Sequence, residues 1–231
     1  GGAAAMLHLA RPRAARFAFA QLGSSLLSRE VLLGALFCGV LLVDVFLRGV
    51  GVDAGRVLQV LPWIAAGLGL LFVHAIVRVY RIRTVPTWDA RATPIAFFGT
   101  TVLLGVAAAA VLFVIRQAEG HAADQSLRSL GLIGAGVVVV ELWTLWRHLT
   151  KLEAEGGAGA RGARAVLRER RGLLGLRTFC AAFGALILVA GTEQELGTET
   201  PAAVLVACGL LLLAEVLGRY LFYASHRRVG L

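Results

Sequence analysis

Six apolar stretches, each near the length of a bilayer crossing, dominate the chain: 31–50, 57–80, 94–116, 128–149, 172–191 and 201–224. A crossing helix needs about 20 mostly apolar residues at about 1.5 Å rise per residue. In hydrocarbon every backbone N–H and C=O must be bonded within its own segment, so these runs are predicted to be helices. The expected fold is all-α, a polytopic transmembrane helix bundle with six complete helices forming a single transmembrane domain over 1–231. Hydrophobic residues make up 58% of the chain and charged ones 16%, which excludes an ordinary soluble globular class. With 231 residues, six crossings and their loops leave no room for a separate soluble domain.

A net charge of +9 would point to nucleic acid in a soluble protein. Here the basic residues gather in particular loops, and a membrane reading without nucleic acid accounts for them better. Six crossings put 1–30, 81–93, 150–171 and the C-terminal tail on one side, the first face. That face carries most of the arginines, among them Arg81, Arg83, Arg91, Arg168, Arg170 and Arg171. The opposite loops hold little beyond Arg56, and 192–200 carries Glu193, Glu195 and Glu199. The positive-inside rule then makes the first face, with the C-terminus, cytoplasmic. The stretch 152–171 (EAEGGAGARGARAVLRERRG) reads as the one real linker. Its glycines predict flexibility in the first half, and its arginines suit anionic lipid, an acidic partner surface or a purely topogenic role. Cys38, Cys180 and Cys208 stand singly within apolar runs and read as small buried residues, not as a disulfide, metal or iron–sulfur framework. The opening Gly-Gly-Ala-Ala-Ala-Met6-Leu7-His8 has no initiator Met and no signal peptide, and reads as the end of a helix that begins upstream.

Ionisable groups inside a membrane are costly and are functional-site candidates. His8 and Glu30 fall near the first face at similar depth. Such a pair makes a proton relay when a His that titrates near neutrality meets a desolvated Glu. Glu30, following Ser28, is equally an ordinary first-turn helix residue facing the dipole. His74 and Arg78 stand i, i+4, with Tyr80 and Trp88 placed as interfacial aromatics and Arg78 free to snorkel. Glu141 lies deep in the fourth run and Arg177 in the fifth. In the sixth, Glu215 and Arg219 form an i, i+4 pair in the favourable order, which reads as an intrahelical ion pair. His74 and His148 would have to face each other across a porphyrin to hold haem, and nothing in their spacing requires it.

Four groups of residues, in order and spacing, resemble the membrane anchor subunit of the bacterial dimethyl sulfoxide reductase type. They are Met6-Leu7-His8-Leu9 with Ser28 and Glu30; Arg78-Val79-Tyr80 with Thr84-Val85-Pro86-Thr87-Trp88, Thr93-Pro94 and Phe97-Phe98; Glu141-Leu142 with Thr144; and Glu215 with Gly218-Arg219, Phe222-Tyr223, His226 and Val229-Gly230. The resemblance implies eight transmembrane helices in a full-length member, of which this chain lacks the first and most of the second. It implies a multi-pass protein of the inner (cytoplasmic) membrane that oxidises menaquinol and carries no haem, iron–sulfur cluster or metal of its own. Electrons would pass to an iron–sulfur subunit and then to a molybdopterin catalytic subunit. The residues matching His8 and Glu30 are those the family uses in quinol binding and oxidation, and Arg78 and Tyr80 are candidates to shape the quinone pocket.

The implied chemistry is physically reasonable. A quinol hydroxyl is a poor reductant until deprotonated, so a neutral His8 would accept its proton and Glu30 would carry that proton away or orient His8. The iron–sulfur subunit would then dock on the first face, where basic loops offer complementary charge. Two other readings fit charged membrane helices. A proton-coupled permease predicts inverted repeats and helices broken at midplane. A purely structural anchor predicts that His8 and Glu30 tolerate substitution.

Overall fold

The computed structural model describes residues 22–23, 25–51, 55–118, 126–190 and 200–226. Among them the regular structure is entirely helical: α1 (Leu26–Gly49), α2 (Arg56–Tyr80), α3 (Ala92–Ala118), α4 (Ser126–Glu155), the short α5 (Gly157–Arg164) with a π-helical turn (Ala165–Glu169), α6 (Arg171–Ala190) and α7 (Thr200–Ala224). Six of these are long and apolar enough to cross a membrane. Their outer faces carry large apolar side chains: Trp63 is 79% exposed and Leu42 69%. Surfaces of that kind around whole helices suit lipid and not water. The chain divides into two compact units, Gly1–Tyr80 and Arg81–Leu231.

The first unit is an α1–α2 hairpin. Ser25 caps α1 by accepting from the Ser28 N–H at 3.3 Å, a contact that contributes about 1 kcal/mol. Arg29 folds back to donate to the Leu22 and Gly23 carbonyls at 2.8 and 2.7 Å, which fixes the approach to the helix. The helices interlock through glycine. A Cβ at Gly34 would meet Phe72 at 3.0 Å, one at Gly69 would meet Phe37 at 3.2 Å, and the two rings stack with centroids 6.4 Å apart. Close approach over small residues is what drives helix pairing where lipid removes the hydrophobic effect. At the far end the hairpin solves a backbone problem. Pro62 lies inside α2 and has no N–H to offer the Leu58 carbonyl one turn earlier. Arg48 of α1 donates to that carbonyl at 2.7 Å, while Asp44 holds its guanidinium at 3.0 Å.

The second unit is a ring of four long helices in which α3 packs on α4, α4 on α6, α6 on α7 and α7 on α3. Small residues bring backbones together. A Cβ at Gly131 would meet the Leu188 carbonyl at 3.2 Å, and one at Gly184 the Ala207 carbonyl at 3.1 Å. The interior has two apolar layers. One gathers Leu103, Val138, Cys180, Leu188, Ala207 and Leu211; the other gathers Leu149, Leu152, Val166, Leu174 and Leu221.

The segment 152–171 departs from the flexible linker its glycines predict. Helix α4 runs on to Glu155, and Gly156 and Gly157, at φ 80° and 69°, make a sharp turn into α5. Gly159, Ala160, Gly162 and Ala163 are buried. The small side chains serve close contact: a Cβ at Gly159 would meet Leu152 at 2.9 Å and Pro86 at 3.4 Å. Glycine-rich composition here reports packing against neighbours rather than mobility.

The Arg48–Leu58 contact exists because Pro62 does. Arg48→Ala is therefore expected to lower the thermal midpoint of the purified protein in the wild-type background, and to lower it clearly less alongside Pro62→Ala. Equal losses in both backgrounds would show that the guanidinium serves something other than the orphan carbonyl.

Candidate functional site

The loop entering α3 seals one end of the four-helix ring. Val85 is fully buried. Thr87 donates through its hydroxyl to the Ser225 carbonyl at 3.1 Å, and the Trp88 indole N–H donates to the Phe222 carbonyl at 2.9 Å. The Phe222 carbonyl also accepts from the Ser225 N–H at 3.3 Å and from the Ser225 hydroxyl at 2.7 Å, so the loop adds to a helix end that Ser225 already caps in part. Trp88 also stacks on Phe222 at 5.0 Å and lies 4.8 Å from His226, centroid to centroid. His148 of α4 approaches the Thr87 carbonyl with Nε2 at 3.2 Å. Helix α5 closes the other side, because Gly162 leaves room for Thr87 and the Ser225 backbone.

Beneath this seal, between the two apolar layers, lies a layer of charge. Arg177 of α6 reaches Glu141 of α4 with Nη2–Oε2 at 3.0 Å, and the same Nη2 is 3.8 Å from Glu215 Oε1 of α7. Each of the three residues is 5% exposed. Glu215 Oε2 also meets the Thr100 hydroxyl of α3. Arg219 donates to that same hydroxyl at 2.8 Å and to the Ala96 carbonyl at 3.3 Å, with its guanidinium carbon 3.7 Å from the Phe97 ring centroid. All four long helices thus meet through one ionic network. Glycine makes the space. A Cβ at Gly99 would overlap the Glu141 carboxyl, and one at Gly218 would meet Arg177 Nε at 2.6 Å.

Glu141, Arg177, Glu215 and Arg219 line a cavity of about 70 Å³ with Thr87, Thr93, Thr144 and His148. Four of its buried polar atoms have no hydrogen-bond partner: Glu141 Oε1, Arg177 Nε and Nη1, and Glu215 Oε1. A hydrophobic cavity of about 150 Å³ holds one benzene ring, so this space suits a few waters and not a quinone ring. Among the described residues no group of three His, Cys, Asp or Glu side chains is arranged to hold a metal.

The residues expected to handle quinol fall in the other unit or outside the described residues. His8 lies outside them. Glu30 is partly buried on α1. Because α1 begins at Leu26, Glu30 sits in its second turn and no acidic residue occupies the first, so the ordinary first-turn reading does not hold. The register set by Gly34 opposite Phe72 and Phe37 opposite Gly69 puts Glu30 level with Ile76. It therefore shares one end of the hairpin with Arg78, which is exposed, and Tyr80, which is partly buried. Glu215 and Arg219, expected to pair within α7, are both held from α3 through the Thr100 hydroxyl, and Glu215 lies beside Arg177. Sequence reasoning did not join Arg177 to Glu141 and Glu215. The available signal was that each stands as a lone charge in an apolar run.

Six crossing-length helices with apolar outer faces and a buried ionic layer define a polytopic integral membrane protein. The protein belongs to the DMSO reductase anchor subunit family (DmsC), whose model matches residues 1–225. It is 30% identical over 247 residues to the polypeptide designated C of the anaerobic dimethyl sulfoxide reductase of Escherichia coli (strain K12), spanning 100% of this sequence and 79% of that protein. The same identity and coverage relate it, over 243 residues, to the anaerobic dimethyl sulfoxide reductase polypeptide YnfH of that strain. It is also 30% identical over 143 residues to the correspondingly designated polypeptide of the anaerobic dimethyl sulfoxide reductase of Haemophilus influenzae, spanning 61% of this sequence and 50% of that protein. No solved structure matches.

Removing one partner from a buried ion cluster leaves uncompensated charge, at a cost of about 3–5 kcal/mol. Arg177→Ala is accordingly expected to lower thermal stability in detergent by about that amount, more than Arg219→Ala does. Gly218→Ala crowds the Arg177 guanidinium and is expected to destabilise by about 1–3 kcal/mol. Both are checked by thermal unfolding of the purified protein; a Gly218→Ala variant as stable as wild type would mean that Arg177 has room to move.

Proposed function

We propose that this protein is the quinol-oxidising membrane anchor of a dimethyl sulfoxide reductase type complex, taking electrons from menaquinol in the inner (cytoplasmic) membrane. It hands them to an iron–sulfur electron-transfer subunit, which feeds a molybdopterin catalytic subunit; those clusters and that cofactor belong to the partners. Family membership and the Escherichia coli relatives' names support the complex. The observation that carries the quinol reading is Glu30: a carboxylate partly buried on the hairpin, beyond the first turn where it would serve the helix dipole.

In this reading Glu30 and His8 act together. A quinol hydroxyl becomes a strong reductant only as its proton leaves, so a base must touch it. His8 takes that proton as a neutral imidazole, and Glu30 orients His8 or passes the proton on to water. Arg78 and Tyr80, at the same end of the hairpin, shape the pocket mouth. The first face is cytoplasmic, and its basic loops, with Arg83 and Arg91 exposed, offer complementary charge to the electron-accepting subunit.

Glu30→Gln keeps the size of the side chain and removes its basicity. In the assembled complex it is expected to lower quinol-dependent turnover by about 100-fold, as loss of a general base does, while turnover with a soluble artificial donor stays intact. His8→Ala is expected to behave alike. Wild-type quinol turnover in both variants would refute the assignment and favour a purely structural anchor.

A further inference from the structure

The ionic layer of the four-helix unit is more than a structural clasp. An ion cluster that only holds helices together has its donors and acceptors satisfied, because an unmet polar atom in a dry interior costs about 1–3 kcal/mol or more. Here two carboxylate oxygens and two guanidinium nitrogens, on residues 5% exposed, face a cavity without a hydrogen-bond partner. The cavity is polar, and its roughly 70 Å³ is enough for a few waters that bridge Arg177 to both carboxyls.

The hydrogen bonds around Glu215 also leave a place for a proton. The Thr100 hydroxyl has one proton and two acceptors in reach, the Ala96 carbonyl at 2.7 Å and Glu215 Oε2. A proton on Glu215 satisfies both contacts, since the carboxylic acid then donates to Thr100. Moving that proton to Glu141 through cavity water leaves Thr100 free to donate to Glu215 instead. The two carboxyls therefore present two proton arrangements with the same heavy-atom framework.

A route to water is built on one face of α4. Glu141, Thr144 and His148 follow at i, i+3 and i+7. Thr144 and His148 line both this cavity and a second one of about 850 Å³, whose walls carry Arg83, Asp89, Arg91, Arg147, Lys151 and Glu155. Of those six, Arg83, Arg91, Arg147, Lys151 and Glu155 are exposed, so this second space reaches the surface. The charged and titratable groups facing the buried carboxyls are Arg177 from α6, Arg219 from α7 and His148 from α4, while α3 contributes Thr100 and the π-helical turn contributes Val166.

We propose that this cavity is a hydrated proton-exchange site, in which Glu141 and Glu215 share one exchangeable proton that passes to and from surface water by way of Thr144 and His148. The exchange is a plain protonation: a carboxylate takes a proton from a hydronium ion through the cavity waters, leaving water and a carboxylic acid, with no change in oxidation state. It is a second activity, separate from the quinol chemistry proposed above, and it makes no use of His8 or Glu30.

The test is infrared difference spectroscopy on the assembled complex in lipid nanodiscs, between acidic and alkaline buffers, in H2O and D2O. The wild type is expected to show a protonated carboxylic-acid carbonyl band that shifts promptly in D2O and is lost in Glu141→Gln and in Glu215→Gln. His148→Ala and Thr144→Val, which leave the ion pairs in place, are expected to keep the band and slow its exchange by about tenfold or more. A wild-type spectrum in both Gln variants overturns the proposal, as does a band that resists D2O. Should the Gln variants fail to assemble, the route variants decide: exchange at the wild-type rate in both overturns it, and slowed exchange supports it.

Discussion

A guanidinium withdrawn from water between two carboxylates is the constraint around which the four-helix unit is arranged. Desolvating each ion is worth several kcal/mol against folding, and only close, simultaneous pairing offsets that. Arg177 meets the requirement by reaching Glu141 and lying beside Glu215 at once, which brings three helices to one point. Thr100 and Arg219 add the fourth helix. Apolar layers lie above and below the pair of acids, and Gly99 and Gly218 open the volume the charged side chains need. A bundle of small apolar residues slides easily in lipid; a buried ion network specifies one register.

Backbone satisfaction sets the remaining detail. In hydrocarbon an unmet carbonyl has no water to turn to. Pro62 orphans the Leu58 carbonyl, and Arg48 from the neighbouring helix answers it. At the end of α7 the Trp88 indole joins Ser225 on the Phe222 carbonyl, and Thr87 from the loop donates to the Ser225 carbonyl. Both solutions place a side chain from a separate segment on a helix that cannot complete its own ladder, and both thereby fix tertiary structure.

The two units place acids in different settings, and the chemistry follows. Glu30, the residue proposed to act on quinol, lies partly buried on a two-helix hairpin. Glu141 and Glu215 lie in a space fit for water alone. The two proposed reactions, proton transfer at a quinol and proton exchange with water, call for these two kinds of surroundings.

Much of the fold was legible in the sequence because hydrocarbon permits so few backbone solutions: a run of about 20 apolar residues has to be a helix, and six such runs make a polytopic bundle. Helix ends were less legible. Helix α1 starts at Leu26 because Ser25 caps it, ahead of the apolar run, and α4 continues through Lys151 and Glu155 because backbone hydrogen bonds do not need apolar side chains. The spacing of Thr87, Trp88, Phe97, Glu141, Glu215 and Arg219 carried the resemblance, yet nothing local joins them. Only the closed ring of helices brings Arg177 to Glu141, 36 positions away, and Thr100 to Glu215, 115 away. Composition likewise misread 152–171, since glycine looks the same in sequence whether it frees a segment or lets two segments touch. The sequence by itself determined which segments cross the membrane and which charges lie within it. Tertiary structure decided which charges meet, because pairing depends on helix rotation and neighbour order, which residue spacing along one helix does not encode.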